Sequence, residues 1–341
     1  MQPIAFFYPH GHAAHAHPAH EESPERVEAI RAAVQQAGYW QSGLQVGAEV
    51  LAPAVLAAVH SAAMLDTARR GSQEESSLDA DTYMTQASWQ LALNAAGGAA
   101  ALARAVWCGE AACGFALTRP PGHHATPTHS MGFCILNNVA LAAESLIQLE
   151  GAKRIAIVDM DVHHGNGTQD IFYTRGDVLF ISTHQHPLYP GTGMLHERGR
   201  AAGEGRTANL PLPPFSGDGA FAVAYGELVP ALLGRFRPEM ILVSAGFDAH
   251  WRDPLGNLQV SARGYGEAVR SLRAWAQQNC AGRIALILEG GYDLEAIPAS
   301  GLAATQALLG EPITDAVGPT PQGEGEDWKA VLGEVKAIWD L

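Results

Sequence analysis

Apolar runs and helical patterns alternate along most of the chain. Six short runs, rich in β-branched and aromatic residues, predict buried strands: PIAFFY, CGFALTRP, RIAIVDMD, VLFIST, EMILVSAGFD and RIALILEGGY. Between them lie segments with helical periodicity, several with an acidic residue near the start and Gly or Asn near the end: SPERVEAIRAAVQQAG, YMTQASWQLALNAAGGAAALARAVW, ILNNVALAAESLIQLEG, GAFAVAYGELVPALLGRF and SARGYGEAVRSLRAWAQQN. Strands and helices in this order predict an α/β fold whose parallel sheet carries helices on both faces.

No stretch of the sequence is suited to link two folded units. We therefore predict one domain that spans residues 1–341. Near the C-terminus, residues 311–326 predict a loop, and WKAVLGEVKAIW predicts a helix over about 327–339 that returns to the body of the domain.

Composition and charge narrow the classes of partner. With 341 residues, 47% of them hydrophobic, the chain has enough apolar material for a large core. The net charge of −14 argues against a nucleic acid held by its phosphates. It fits either cationic substrates or simply a soluble acidic surface. No membrane span or secretory signal is visible, so we expect a cytoplasmic protein without a membrane partner. The cysteines show no CxxC pairing and are expected to pack as small hydrophobes.

One predicted strand, KRIAIV, runs into the charged segment DMDVHHGNGTQD. Side chains alternate along a strand, so Asp159, Asp161 and His163 should share one face. Buried charge is costly unless it is paired or coordinates a metal. This segment therefore predicts a cation site.

Other predicted strands also end in polar residues. His123 and His124 follow one strand, Asp248 follows another, and Tyr292 follows a third. Each of these residues also has a purely structural interpretation. The Asp could cap a helix, the Gly-Gly-Tyr segment could form a turn, and the His pair could serve only as hydrogen-bond partners. Because ligands bind at the carboxyl ends of strands in open α/β sheets, the coincidence of all of them favours one site.

The chemistry available to such a site is amide hydrolysis. Asp161, His163 and Asp248 would leave one coordination position open, as in catalytic zinc sites. A metal there polarises a carbonyl and acidifies water. The remaining side chains would transfer protons, orient the imidazoles and stabilise an oxyanion: His123, His124, Asp159, Asn166 and Tyr292.

Seven motifs occur in an order that resembles the zinc-dependent histone deacetylase and acetylpolyamine amidohydrolase superfamily: RPPGHHA, GFCILNN, DMDVHHGNGTQDIF, YPGTG, GRAAGEG, SAGFDAHWRDPLG and EGGYDL. The pattern is most similar to class II-like bacterial members, because Asn166 stands where class I enzymes have an aspartate. The resemblance implies the three-layer arginase-deacetylase fold around an eight-stranded parallel sheet. It also implies an amidohydrolase acting on acyl-lysine or small acylated amines.

The resemblance assigns a role to each motif residue. One Zn²⁺ is held by Asp161, His163 and Asp248. His124 is the general base and acid, His123 is its electrostatic partner, and Tyr292 is the transition-state tyrosine. Asn166 is the hydrogen-bond partner of His124, and Asp159 is the hydrogen-bond partner of His123.

The resemblance also implies substrate contacts and two structural K⁺ sites. The Gly132 carbonyl receives the substrate N–H, and Phe133 with Tyr189 walls an acyl-lysine channel. Leu255 replaces a glutamate that polyamine-selective eukaryotic members carry, which favours acyl-lysine substrates. One K⁺ site is expected around Asp159, Asp161, His163, Ser182 and Thr183, the other near Phe172 and Val178.

Several alternatives stay open at this point. Three alternative functions are an amidohydrolase specific for acetylpolyamines, a two-metal ureohydrolase of the arginase type, and a non-catalytic module that binds acyl-amines or a metal. The N-terminal histidines are either an auxiliary metal site or solvated loop residues: His10, His12, His15, His17 and His20. Asp79 and Asp81 either contact substrate at the entrance or stabilise a turn. Acyl length and oligomeric state, a homo-oligomer included, are left open.

Overall fold

An all-parallel sheet of eight strands forms the centre of the molecule, in the order β2-β1-β3-β8-β7-β4-β5-β6. The structure is a computed structural model, which describes residues 2–18 and 20–341. This sheet confirms the fold class expected from the sequence. The strands are β1 (Ile4–Phe7), β2 (Leu44–Val46), β3 (Cys113–Ala116), β4 (Ile155–Asp159), β5 (Val178–Gln185), β6 (Thr207–Leu212), β7 (Met240–Ala245) and β8 (Ile284–Leu288).

The six strands predicted from apolar runs are all present, whereas β2 and β6 were not predicted from the pattern. β2 is a three-residue edge strand that is only partly buried, so it carries little apolar signal. β6 is fully buried, but its sequence TANLPL contains Asn209 and Pro211, which are disfavoured in strands. A proline is tolerated there because β6 is the other edge of the sheet.

Helices cover both faces of the sheet. The helices in the described part of the chain are α1 (Pro24–Gln36), α2 (Tyr39–Ser42), α3 (Pro53–Val59), α4 (Ala62–Glu74), α5 (Ser88–Trp107), α6 (Asn138–Leu149), α7 (Asn166–Phe172), α8 (Asp218–Val223), α9 (Val229–Phe236), α10 (Ala262–Asn279), α11 (Ala296–Leu309) and α12 (Trp328–Trp339). α8 and α9 form one continuous helix through a wider π-type turn at Ala224–Leu228. None of the helices in the described ranges combines the length and the apolarity needed to cross a membrane.

The alternation of side chains along each strand divides the interior into two cores. In β4, Ala156 and Val158 pack into the core beneath α1 and α8–α12, while Ile155 and Ile157 pack into the core beneath α3–α7. α12 belongs to the first of these cores through Trp328, Leu332, Val335 and Trp339. The predicted C-terminal helix therefore packs on the body of the protein.

The strand order places the centre of the sheet at β3, β8, β7 and β4. β4 and β7 are neighbours in the sheet, and the chain runs from β4 to β5 on one side but from β7 to β8 on the other. A ligand crevice is expected at such a point, outside the carboxyl ends of the strands. The segments that follow these four strands contain the three predicted metal ligands, the His123–His124 pair and Tyr292.

Candidate active site

Asp161, His163 and Asp248 converge beyond the carboxyl ends of β4 and β7. One potential ligand atom from each lies within 4.8 Å of the others. His163 Nδ1 is 3.1 Å from Asp161 Oδ1 and 3.2 Å from Asp248 Oδ2. All three residues are buried, and His163, the most accessible, is 9% exposed. The structure thus brings together the three predicted metal ligands.

Backbone groups and two glycines hold the two carboxylates in place. Asp161 Oδ2 accepts the Gly290 N–H at 2.8 Å, and Asp248 Oδ1 accepts the Val162 N–H at 2.8 Å. A Cβ at Gly290 would stand 2.1 Å from Asp248 Oδ2, and one at Gly246 would stand 2.1 Å from Asp161 Oδ2. Only glycine leaves room for these carboxylates at both positions.

The electrostatics of this group favour a cation. Burial by itself would lower the pKa of His163, but the Asp161 and Asp248 carboxylates raise it to about 10. Burial and the neighbouring Asp161 raise the pKa of Asp248 to about 6. Two carboxylate oxygens and one imidazole nitrogen with an open side are the donor set of a catalytic zinc site. The residues present therefore fit a divalent metal ion.

His123 and His124 lie beside this group, each with a different partner. His123 Nδ1 is 3.0 Å from Asp159 Oδ2, whereas His124 Nδ1 is 2.7 Å from Asn166 Oδ1. The two ring centroids are 4.0 Å apart. Asp159 ends β4 and Asn166 begins α7, so one short connection, residues 159–166, supplies the partners of both histidines.

The two imidazoles differ in pKa because their partners differ in charge. Burial would lower the pKa of His123, but the Asp161 and Asp159 carboxylates outweigh it and raise this pKa well above the ordinary value. The pKa of His124 is well below its ordinary value, first because of burial and then because of the positive charges of His123 and His163. His124 is thus the neutral imidazole of the pair, able to accept a proton.

A cavity of about 260 Å³ opens from this site to the surface. Its walls include all four residues predicted to contact substrate, and it is lined by Asp81, His124, Gly132, Phe133, His163, Leu188, Tyr189, Leu255 and Tyr292. Tyr189 is 38% exposed, which places it at the rim. A narrow passage with a buried polar end and an exposed aromatic rim suits an extended chain that carries one reactive group.

Phe133 has a strained backbone where it forms one wall of the cavity. Its φ is +66°, in the left-handed region that non-glycine residues seldom adopt. The Phe133 N–H donates to Thr82 Oγ1 at 3.0 Å, and the preceding Gly132 N–H donates to Asp79 Oδ2 at 3.3 Å. Asp79 Oδ1 also accepts the Thr82 N–H at 2.6 Å, so Asp79 has the turn-stabilising role. Asp81, in contrast, lines the cavity.

Tyr292 faces the cavity opposite Phe133. Their ring centroids are 5.8 Å apart in an edge-to-face arrangement. The Tyr292 N–H donates to Asp253 Oδ2 at 2.6 Å, and the guanidinium of Arg26 lies 4.7 Å from the centre of the Tyr292 ring. These contacts fix both the backbone and the ring of Tyr292, so its hydroxyl has a defined position.

A buried ion network beneath Tyr292 was not predicted from the sequence. Glu22 Oε1 accepts from Arg26 Nη1 at 3.0 Å and from Arg119 Nε at 2.8 Å, and all three side chains are fully buried. Arg26 also donates to the carbonyls of Glu289 and Gly291, at 2.5 Å each, on either side of the glycine that contacts Asp161. Breaking such a network by removing one partner typically costs about 3–5 kcal/mol, because a buried charge loses its counter-charge.

The N-terminal histidines form no metal cluster with one another. Within the described ranges, the groups of potential metal ligands contain none of them. His12 Nε2 lies 3.2 Å from Glu28 Oε1, and His15 Nδ1 lies 2.6 Å from Ser88 Oγ. His20 packs edge-on against Phe133, with ring centroids 4.7 Å apart. Through this contact, His20 supports the Phe133 wall of the cavity.

Residues of the two predicted K⁺ sites lie along β4, β5 and α7. Asp159 and Ser182 are paired in register, and Ser182 Oγ is 2.9 Å from His184 Nδ1. Thr183 Oγ1 is buried and has no hydrogen-bond partner among the described residues. Phe172 ends α7 and Val178 begins β5. The two K⁺ sites therefore remain predictions.

Comparisons with known proteins agree with this geometry. Residues 20–308 match the family model described as "Histone deacetylase domain". A "Probable deacetylase" of Archaeoglobus fulgidus is 41% identical over 296 residues, which cover 86% of this chain and 82% of that protein. The "Histone deacetylase-like amidohydrolase" of Pseudomonas aeruginosa is 37% identical over 293 residues, which cover 85% of this chain and 77% of that protein.

Solved structures and longer relatives extend the comparison. The crystal structure of the HDA15 HD domain matches with a TM-score of 0.90 and 38% identity, over 99% of this chain and 94% of that one. Three plant histone deacetylases are longer proteins, of which this chain spans 53% to 56%.

Proposed function

The chain belongs to the histone deacetylase domain family, and from this premise we propose that it is a zinc-dependent amidohydrolase. Its substrates are N-acyl-lysine side chains or small acylated amines, from which it releases the acyl group as a carboxylate. The observation that carries this proposal is the convergence of Asp161, His163 and Asp248 with the His123–His124 pair and Tyr292 at the inner end of one cavity.

Each side chain has a defined part in the proposed reaction. A zinc ion held by Asp161, His163 and Asp248 would polarise the acyl carbonyl and acidify a water molecule. His124 accepts a proton from that water at Nε2, because its Nδ1 is directed at Asn166. His124 then returns the proton to the leaving amine.

The remaining groups stabilise charge and orient the substrate. Tyr292 donates a hydrogen bond to the oxygen that becomes negative, and His123, kept positive by Asp159, lowers the energy of that charge. The Gly132 carbonyl receives the amide N–H of the acyl-lysine, between the rings of Phe133 and Tyr189. K⁺ at the site predicted around Asp159 and Thr183 would stabilise the carboxyl end of β4.

The other candidate functions have less support from these residues. A two-metal ureohydrolase needs further bridging carboxylates, whereas Asn166 contributes an amide where such a ligand would be needed. A non-catalytic module does not require two adjacent histidines, one paired with a charged carboxylate and the other with a neutral amide. Acetylpolyamine specificity is the closer competitor, but Leu255 lines the cavity where an acidic side chain would attract the second amine.

A substrate panel tests this function. We expect an acetyl-lysine peptide and longer acyl-lysine peptides to be hydrolysed with higher kcat/KM than acetylputrescine or acetylspermidine, because Leu255 and the aromatic walls offer apolar contacts to the lysine stem. A reversed order would favour the polyamine alternative. Absence of hydrolysis on every substrate by the zinc-loaded protein would refute the proposed activity.

Tyr292→Phe separates a working hydrolase from a binding protein. We expect kcat to fall by roughly 10² to 10³, or about 3–4 kcal/mol, with a much smaller change in KM. The hydrogen bond strengthens as charge accumulates on the carbonyl oxygen, so the transition state gains more than the bound substrate. Steady-state kinetics on an acetyl-lysine substrate measure the effect.

The control for this variant is Tyr39→Phe on α2, outside the cavity, with zinc content determined on each sample. The control should keep wild-type kcat. If Tyr292→Phe also keeps nearly full kcat, Tyr292 only supports its turn and the proposed catalytic role is wrong.

A further inference from the structure

A second group of metal-type side chains lies beside the first. His123, Cys134 and Glu289, called here the sulfur cluster, each offer one ligand atom, and these atoms lie within 4.8 Å of one another. All three residues are buried, and Cys134 and Glu289 have no measurable exposure. Of these three residues, the proposed reaction uses only His123. The Cys134 thiol and the Glu289 carboxylate have no role in it.

One atom of the sulfur cluster lacks a partner. Glu289 Oε2 accepts the Gly122 N–H at 2.6 Å and the His123 N–H at 3.1 Å. Glu289 Oε1 is buried and has no hydrogen-bond partner among the described residues. A buried carboxylate oxygen without a partner is costly, so it calls for a bound water, a proton donor or a cation.

The donor types decide between these ligands. Thiolate, imidazole and carboxylate together are a zinc-type donor set, which water does not require. Ligand atoms 4.8 Å apart put a central ion at most about 2.8 Å from each, so the side chains need to close in by roughly half an ångström to reach bonding distance. His123 Nδ1 is occupied by Asp159, which leaves Nε2 for a metal.

We propose that the sulfur cluster is a second site for a divalent transition-metal ion such as Zn²⁺ or Co²⁺, and that occupancy inhibits the enzyme. Binding replaces the thiol proton of Cys134, which passes to solvent, by a sulfur–metal bond. The ion also binds His123 at Nε2 and displaces the proton there, which likewise passes to solvent, so this imidazole no longer donates that proton toward the oxyanion. The site itself is independent of the proposed function, and only the inhibition rests on it.

The sulfur cluster is close to the cavity through which an ion enters. Cys134 directly follows Phe133, and His123 directly precedes His124, and both of these neighbours line the cavity. The His124 N–H lies 3.5 Å from Cys134 Sγ, which ties the thiol to the catalytic loop. The metal site of Asp161, His163 and Asp248 has no sulfur ligand, so a sulfur-specific signal distinguishes the two sites.

Cobalt titration of the metal-free protein tests the proposal. The first equivalent should restore turnover without a thiolate signal. The second should produce a thiolate-to-cobalt charge-transfer absorption and lower turnover, on the order of 10²-fold, as expected when a group that stabilises the oxyanion is lost. Cys134→Ala should bind one equivalent, lack the absorption and resist inhibition, while Glu289→Gln should bind the second ion more weakly.

Cys108→Ala is the matched control, since Cys108 is an exposed cysteine outside the sulfur cluster. It should keep both the absorption and the inhibition. The proposal is overturned if wild type shows no thiolate absorption, or if the absorption survives in Cys134→Ala. Restored turnover at the first equivalent shows that each variant is folded. Its absence in wild type would count against the proposed hydrolase and leave the thiolate signal as an independent readout.

Discussion

Replacing Asp248 by Ala is expected to abolish both zinc binding and turnover. Asp248 is one of three side chains whose ligand atoms lie within 4.8 Å of one another, and two protein ligands rarely hold zinc tightly. The variant also leaves the Val162 N–H without its acceptor. Metal analysis of the purified protein and initial rates on an acetyl-lysine substrate measure the two losses. Because the donors are oxygen and nitrogen, Fe²⁺ or Co²⁺ should replace zinc in wild type.

Asp66→Ala provides the control for this experiment. Asp66 is an exposed aspartate on α4 that pairs with Arg69, so the same chemical change occurs away from the site. The control should retain stoichiometric metal and full turnover. Full zinc occupancy in Asp248→Ala would show that Asp248 is not a ligand and would remove the basis of the metal assignment.

His124→Ala should reduce kcat by roughly 10² to 10⁴, and by more than His123→Ala does. The pKa of His124 lies well below its ordinary value, first through burial and then through the charges of His123 and His163, so His124 is neutral and able to accept a proton. His123 is held positive by Asp159 and Asp161 against the effect of burial. Loss of His124 removes the group that transfers the proton, whereas loss of His123 only weakens the stabilisation of the negative charge.

The pH dependence of kcat/KM gives a second reading of the same pair. Wild-type activity should fall on the acidic side as His124 gains a proton, and this limb should be absent from the residual activity of His124→Ala. His129→Ala, an exposed histidine on the same loop, should leave rate and profile unchanged. Equal losses in the two active-site variants with unchanged pH profiles would contradict this division of roles.

The sequence was most informative where the signal is local. The six predicted strands are continuous apolar runs, and the parallel sheet forces their carboxyl ends to one edge. Asp161, His163, Asp248, His124 and Tyr292 were recognised because each lies just beyond such an end. Their spatial convergence then follows from the sheet, while their catalytic roles remain predictions.

Features that depend on distant or weakly patterned residues were not predicted. α11 is apolar around most of its circumference, so it lacks the amphipathic period by which a surface helix is recognised. Glu22 and Arg119 are 97 residues apart, and nothing local indicates that they pair. Cys134 and Glu289 were likewise isolated in the sequence, and only the fold places them within reach of one another.

The order of strands in the sheet has a consequence for the synthesis of the chain. β2, β1 and β3 form one side of the sheet, and β4, β5 and β6 form the other, but the strands that join these halves, β7 and β8, are translated last. His124 follows β3, Asp161 and His163 follow β4, and Asp248 follows β7, so the proposed proton carrier and the proposed metal ligands come together only once β7 is in place. A chain that still lacks β7 and β8 therefore has an incomplete candidate site. Metal binding at Asp161, His163 and Asp248 should begin only once these two strands have joined the halves of the sheet.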